Sequence, residues 1–207
     1  MAVISGISIA MEGYRFYIFE NAYNGTISYE QAVQFDQIYA GLGLIDLLLY
    51  ILSAIFFIMW FRRAYYNLHQ LMGGLRYSEG WAAGAWFIPI FSLFGPYQIA
   101  TDLYTKTEGL LVNKGLIDSK PSRHSVKGWW WGLWIAGSVF GNISTRGSLE
   151  MINFSIFTAI ISAILLLISA LLAVKVIDNY HEMEVKLSHL DDVSQTNLDN
   201  NDLLDAL

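Results

Sequence analysis

Three stretches of this chain carry almost no charge. Ile38 to Trp60 contains Asp46 alone, and neither Gly128 to Thr145 nor Met151 to Val174 contains any Asp, Glu, Lys or Arg. A helix needs about 20 mostly apolar residues to cross a hydrocarbon core of about 30 Å. The first and last runs exceed that length, and the middle one reaches it with its polar flanks. Charged residues make up 14% of the 207, against about a quarter in soluble domains. The fold class expected from these runs is all-α: a polytopic helical membrane protein.

A helical membrane domain is expected over residues 1–177. Within it, residues 1–19 read as a partial N-terminal helix, 38–60 as the first full span, and 128–145 and 151–174 as two further spans. The N-terminus lacks the basic start and small-residue cleavage site of a signal peptide. Asn24-Gly25 marks a turn, and an acidic stretch with Glu30 and Asp36 leads into the first span. That span is expected to continue as a helix through "WFRRAYYNLHQLM". Trp60, Arg63, Ala64, Asn67 and Leu71 then share one face, three or four residues apart. Residues 102–127 read as a polar loop, and Trp129, Trp130 and Trp131 as an interfacial aromatic belt. The chain's net charge of −6 is concentrated at the end, where residues 178–207 hold eight acidic residues against Lys186 alone. This acidic tail, ending in Leu203, Leu204 and Leu207, is expected to be cytoplasmic and largely flexible. No internal repeat is visible, so nothing in the sequence supports an inverted-repeat transporter.

Residues 81–101 are apolar enough to span, yet Pro89 and Pro96 break them. Each proline removes a backbone donor and disrupts the preceding turn. Cytoplasmic loops are enriched in Lys and Arg, so charge discriminates between two topologies. A proline-kinked full span would put Arg62, Arg63, Arg76 and Arg146 on one side and the other eight basic residues opposite. A segment that re-enters on its own side leaves only Arg15 and Arg146 apart from the remaining ten. The second pattern is the expected one. It makes 62–80, 102–127 and the tail cytoplasmic. Irregular backbone at membrane depth must be buried in protein or line a wet cavity.

The most specific pattern in the chain is an ordered set of residues after the first span. It comprises Trp60, Arg63, Ala64, Asn67 and Leu68; then Tyr77, Ser78, Gly80 and Trp81; then Trp86, Phe87, Ile88, Pro89, Leu93, Pro96, Tyr97 and Gln98. With "GWWWGLWIAG" further on, this order resembles the domain-of-unknown-function 4328 family. The resemblance implies a bacterial integral membrane protein, hence the cytoplasmic (inner) membrane, and assigns no activity. It also implies a complete N-terminal membrane helix, whereas this chain starts inside the equivalent stretch; truncation or a late start is the reading that follows.

Candidate chemistry is sparse. Arg63, Asn67, Tyr77, Trp81, Trp86, Tyr97 and Gln98 are candidates for a polar pocket around the helix breakers Pro89 and Pro96. Such a pocket would suit an anionic headgroup or small metabolite, since arginine offers a planar fork for phosphate. The alternative is that these groups bond the backbone carbonyls freed by the prolines. Asp46 is an intramembrane carboxylate, a candidate for ion binding or proton relay, or else a bond to a neighbouring helix. Cysteine is absent, which removes disulfides and thiolate chemistry. His69, His124, His181 and His189 have no metal-ligand spacing, no nucleotide or hydrolase motif occurs, and no cofactor is expected. The expected function is a scaffold or accessory subunit that binds partner proteins or lipid through its membrane face or tail. Homo-oligomerisation is compatible with that role, and nucleic acid is not an expected partner. The alternatives are a small channel or transporter lined by the broken segment, and a lipid-headgroup enzyme.

Overall fold

The computed structural model describes the backbone of residues 2–117, 124–146 and 152–205, and side chains for 6–22, 24–117, 125–146 and 153–188. The described residues form helices and no strand. The helices are α1 (Ala2–Tyr23), α2 (Tyr29–Leu71), α3 (Trp81–Gly84), α4 (Gly95–Asn113), α5 (His124–Ser144) and α6 (Ile152–Asp205), with a single 3₁₀ turn at Phe91–Leu93. Two compact units divide the chain. The first comprises residues 1–62 and 128–173, the second 63–127 and 174–207.

In the first unit, α1 and α2 are joined by a short, fully specified connection. Gly25 at φ 67° ends α1, with Thr26 N–H donating to Asn21 O (3.0 Å) and Gly25 N–H to Ala22 O (3.1 Å). This is the left-handed terminator that a residue without Cβ adopts most readily. Ser28 and Gln31 then exchange bonds, backbone N–H to Oε1 at 2.9 Å and backbone N–H to Oγ at 3.3 Å, a capping box that starts α2. Polar groups pin the two helices antiparallel. Ser8 Oγ donates to Asp46 Oδ2 (3.2 Å) and the Tyr39 hydroxyl to Glu12 Oε1 (2.6 Å), and Arg15 pairs with Glu12 at 3.4 Å.

A serine ladder joins α5 to α6. Ser155 Oγ donates to Ser144 O (2.5 Å), Ser162 to Gly137 O (2.8 Å) and Ser169 to Trp130 O (3.0 Å). Each step of a heptad along α6 is matched by a heptad back along α5, the repeat that keeps one seam facing its partner. Small residues permit the approach. A Cβ on Gly137 would stand 2.9 Å from Leu166 Cγ and Cδ2, and one on Gly141 would stand 3.0 Å from Ser162 Oγ. Small residues and interhelical hydroxyl bonds are how helices associate when apolar burial supplies no net drive.

Two helices, α2 and α6, are long and apolar enough to cross a membrane. No residue in the apolar window of α2 is buried, and Ile45, Leu48, Ile51, Leu52, Ile55 and Phe56 all face outward. Helix α5 has 21 residues, but its tryptophans, glycines and serines keep it below that apolarity.

Several expectations change against this architecture. Helix α1 extends beyond 1–19, to Tyr23. The 102–127 stretch is not a loop throughout: α4 continues to Asn113 and α5 begins at His124. Regular apolar spacing builds α4, with Ile99, Ala100, Leu103, Tyr104, Thr107 and Leu111 buried along one face; Asp102, Lys106 and Glu108 among them made it read as polar. The tail is not free from residue 178, because Val176, Tyr180 and Leu187 are buried in the second unit. Their spacing of four and seven gives that part of α6 an inward face. The backbone of α6 remains helical to Asp205. Only Trp129 of the tryptophan triplet faces outward, at 66% exposure. Trp131 instead stacks on Trp134 at 4.9 Å, and Trp130 meets Phe57 at 5.7 Å. Consecutive helical residues point about 100° apart, so three in a row cannot share a face. Lys120 and Arg123 lie outside the described residues, as do the side chains of His124, His189, Leu203, Leu204 and Leu207.

Candidate functional site

Among the described residues, the most heavily buried charges, Lys127 and Asp102, lie in the second unit. Helix α4 begins with Pro96 in its first turn, where a missing N–H and a fixed φ are both favourable. It ends in a second left-handed terminator at Gly115, φ 72°, with Leu116 N–H bonded to Leu111 O at 2.9 Å. The helix so bounded presents Tyr97, Asp102, Tyr104 and Glu108 within the unit. Tyr104, 1% exposed, donates its hydroxyl to Val176 O of α6, and its ring lies 6.0 Å from that of Tyr180. The Lys127 ammonium, on the first turns of α5, stands 5.4 Å from the Tyr104 ring centre and 5.7 Å from that of Tyr97. Aromatic faces attract a desolvated cation in this geometry.

Lys127 is 2% exposed and Asp102 6%. Burial pushes the lysine below its ordinary pKa, and the negative charges of Glu108 and Asp102 oppose that shift. Asp102 Oδ2 is buried without a hydrogen bond; Arg76 Nε stands 3.8 Å from it, an ion pair rather than a bond. A small cleft of about 160 Å³ opens beside Tyr104, Glu108 and Leu111 of α4 and Asn179, Glu182 and Lys186 of α6. Among the described residues, no group of three His, Cys, Asp or Glu is placed to hold a metal ion.

Burial also raises Tyr65, and it pushes Tyr180 from the ordinary 10.0 up to about 12. The unfolded chain releases the Tyr180 proton near pH 10, while the folded chain keeps it to about 12. The resulting stabilisation is complete below pH 10 and is lost as pH rises through that window. Tyr65 acts with the same sign. Lys127 acts with the opposite one, because its charged form is disfavoured on folding. Tyr180→Phe is expected to flatten the alkaline loss of thermal stability in detergent; an unchanged alkaline profile would remove Tyr180 as its source.

The residues singled out from the sequence fall into separate places. Arg63 and Asn67 turn to α6, where Asn67 Nδ2 donates to Glu184 Oε1 at 2.8 Å and Arg63 Nη2 lies 3.9 Å from Oε2. The buried face of α2 here is Phe61, Ala64, Tyr65 and Leu68, rotated from the face expected. Arg63 consequently has a side chain 65% exposed. Tyr77 and Gln98 do meet, the phenol donating to Oε1 at 2.5 Å. The Tyr77 carbonyl accepts the Tyr65 hydroxyl (3.2 Å) and lies 3.0 Å from His69 Nε2. Trp81 packs edge-on against Phe91 at 5.1 Å, which in turn meets Tyr77 at 5.5 Å. Trp86 bonds within its own turn, its indole N–H donating to Ala82 O at 3.1 Å, and Tyr97 faces Lys127. Pro89 O accepts the Ser92 hydroxyl at 2.8 Å, so one carbonyl beside the break is satisfied locally. Asp46 accepts from Ser8, the bond to a neighbouring helix.

Sequence reading missed Asp102, Tyr104, Lys127, Tyr180 and Glu184. The available signal was the apolar periodicity of α4, which would have turned Tyr104 inward.

No match was found among curated proteins or among solved structures. A family model described as "Domain of unknown function (DUF4328)" matches residues 23–182, from the last residue of α1 into α6. The match reaches into both units and includes Lys127 and Asp102, and the chain belongs to this family.

Proposed function

We propose that this protein is a multi-pass membrane protein of the bacterial cytoplasmic membrane that serves as a scaffold or accessory subunit. The observation that carries the membrane reading is α2, whose most apolar window has no residue buried. Such a surface is costly in water and favourable in lipid, at about 25 cal/mol per Å² of apolar area removed from water.

Charge and contacts support the topology. Nine of the twelve basic residues, all but Arg15, Arg62 and Arg146, belong to the second unit, which fits a cytoplasmic position. Three contacts tie the ends of the proline-broken segment to residues just past the spans. Tyr77 meets Tyr65, Tyr97 faces Lys127, and Tyr104 bonds Val176. No continuous helix runs through 81–101. All of this favours a segment that returns to the side it left.

A scaffold role draws support from how the unit's polar groups are engaged. Arg63 and Asn67 bind Glu184, Arg76 faces Asp102, and Tyr77 holds Gln98, contacts that make the unit a braced platform for partners. Because the chain lacks cysteine, topology can be read with Met72→Cys and Asn113→Cys and an impermeant thiol reagent. Both are expected to label only after the cells are opened. Labelling from opposite sides would make 81–101 a kinked span and overturn the topology.

A further inference from the structure

We infer that Trp81–Phe94 is a wedge that inserts into the headgroup–acyl boundary of the bilayer, anchored by Phe87 and Ile90; the inference rests on the membrane reading above. The run from Gly80 to Thr101 holds no charged residue, while Glu79 and Asp102 bracket it. Phe87 is 75% exposed and Ile90 76%, with Ile88, Leu93 and Phe94 also exposed. They fall within eight residues of sequence, unlike the singly scattered apolar residues that ordinary surfaces carry.

The wedge is braced from behind. Phe91 packs against Trp81, Tyr77 and Phe94 at 5.1, 5.5 and 5.1 Å. A Cβ on Gly95 would come within 2.4 Å of the Phe91 ring. Part of its backbone is internally paired. The N–H groups of Trp81 to Phe87 and of Ser92 to Phe94 each bond a carbonyl three or four residues earlier. Unbonded backbone groups are what exclude irregular chain from lipid.

The occupant follows from position along α2. Tyr77 sits beside Tyr65, five residues past Trp60 on one unbroken helix, or about 7.5 Å of axial rise. The polar layer on each side of a bilayer is about 5–8 Å thick. Tyr97 faces Lys127, two residues before the outward-facing Trp129, and tryptophan favours that same layer. Both ends of the wedge are therefore tied to residues a few positions beyond the apolar run of α2 and just ahead of Trp129, within the polar layer, and this favours lipid rather than a soluble protein against its apolar side chains.

Depth-dependent quenching tests this. Single cysteines replacing Phe87, Ile90, Leu48 and Glu79 would each carry a bimane label in phosphatidylcholine–phosphatidylglycerol vesicles. The lipids would be brominated near the carbonyl or near the methyl end of the acyl chains. Labels at 87 and 90 are expected to be quenched about twofold more by the shallow bromines than by the deep ones, as for a side chain at the acyl boundary. The Leu48 label should prefer the deep bromines, and the Glu79 label should respond only to aqueous iodide. If 87 and 90 respond to iodide, or to neither quencher, while Leu48 responds to lipid, the wedge is wrong: water or protein covers the patch. Stronger deep quenching at 87 and 90 would also overturn it, in favour of a deep loop. Loss of lipid quenching at Leu48 would instead remove the membrane reading.

Discussion

Tyr104→Ala is expected to destabilise the second unit by about 3–5 kcal/mol, the cost of truncating a large buried aromatic. Tyr104 is 1% exposed, caps the Val176 carbonyl, meets Tyr180 and forms one wall beside the Lys127 ammonium. Its loss leaves a cavity and a buried cation with one ring instead of two. Tyr104→Phe separates these effects. It keeps the ring and should cost only about 0.5–1.5 kcal/mol, the net worth of one hydrogen bond, because the Val176 carbonyl keeps its place in the α6 backbone ladder. Tryptophan fluorescence during thermal unfolding in detergent would read both variants. Equal stability of Tyr104→Ala and the parent would mean that α4 does not pack on α6 through this residue.

Gly137→Leu is the corresponding test of the first unit. Any Cβ here meets Leu166 at 2.9 Å, and a full leucine must push α5 from α6. Overpacking of this kind costs about 1–3 kcal/mol. The separation also breaks the Ser162 bond to Gly137 O, worth about 0.6 kcal/mol on average for interhelical bonds in membranes. Ser162→Ala should lose only that smaller amount. The contrast matters: steric contact between helices is felt in full, whereas one hydroxyl bond has competing partners in the unfolded state. The readout is the unfolding midpoint in mixed micelles, and a wild-type midpoint for Gly137→Leu would refute close packing at this seam.

Much of the architecture was legible because a long uncharged apolar run is a signal carried by the order of residues alone. The apolar runs at 38–60 and 151–174 correspond to the two longest helices, α2 and α6. The continuation of α2 through Leu71 follows from unbroken helix-forming sequence. The two prolines fall where the chain between α3 and α4 forms no long helix and where α4 begins. The candidate site was less accessible. Tyr77 and Gln98 were linked in advance by a shared pattern and do meet. Arg63 was not placed correctly, because a face assigned from residue types alone differs by one position from the buried face of Phe61, Ala64, Tyr65 and Leu68. Ser155, Ser162 and Ser169 stood in the sequence at perfect heptads, but serine in an apolar run reads as neutral until a facing carbonyl is known.

The sequence by itself determined the class of fold, the apolar helices, the breaks between them and the uneven distribution of charge. These depend on composition and local periodicity, which the order of residues carries directly. Tertiary structure alone decided which polar groups share a neighbourhood: Lys127 with Tyr97 and Tyr104, Arg76 with Asp102, and Arg63 and Asn67 with Glu184. The last set spans more than a hundred residues of chain. The physical reason is that a buried charge takes its partners from whatever packs around it, and that packing is set by helices whose mutual register no local pattern encodes.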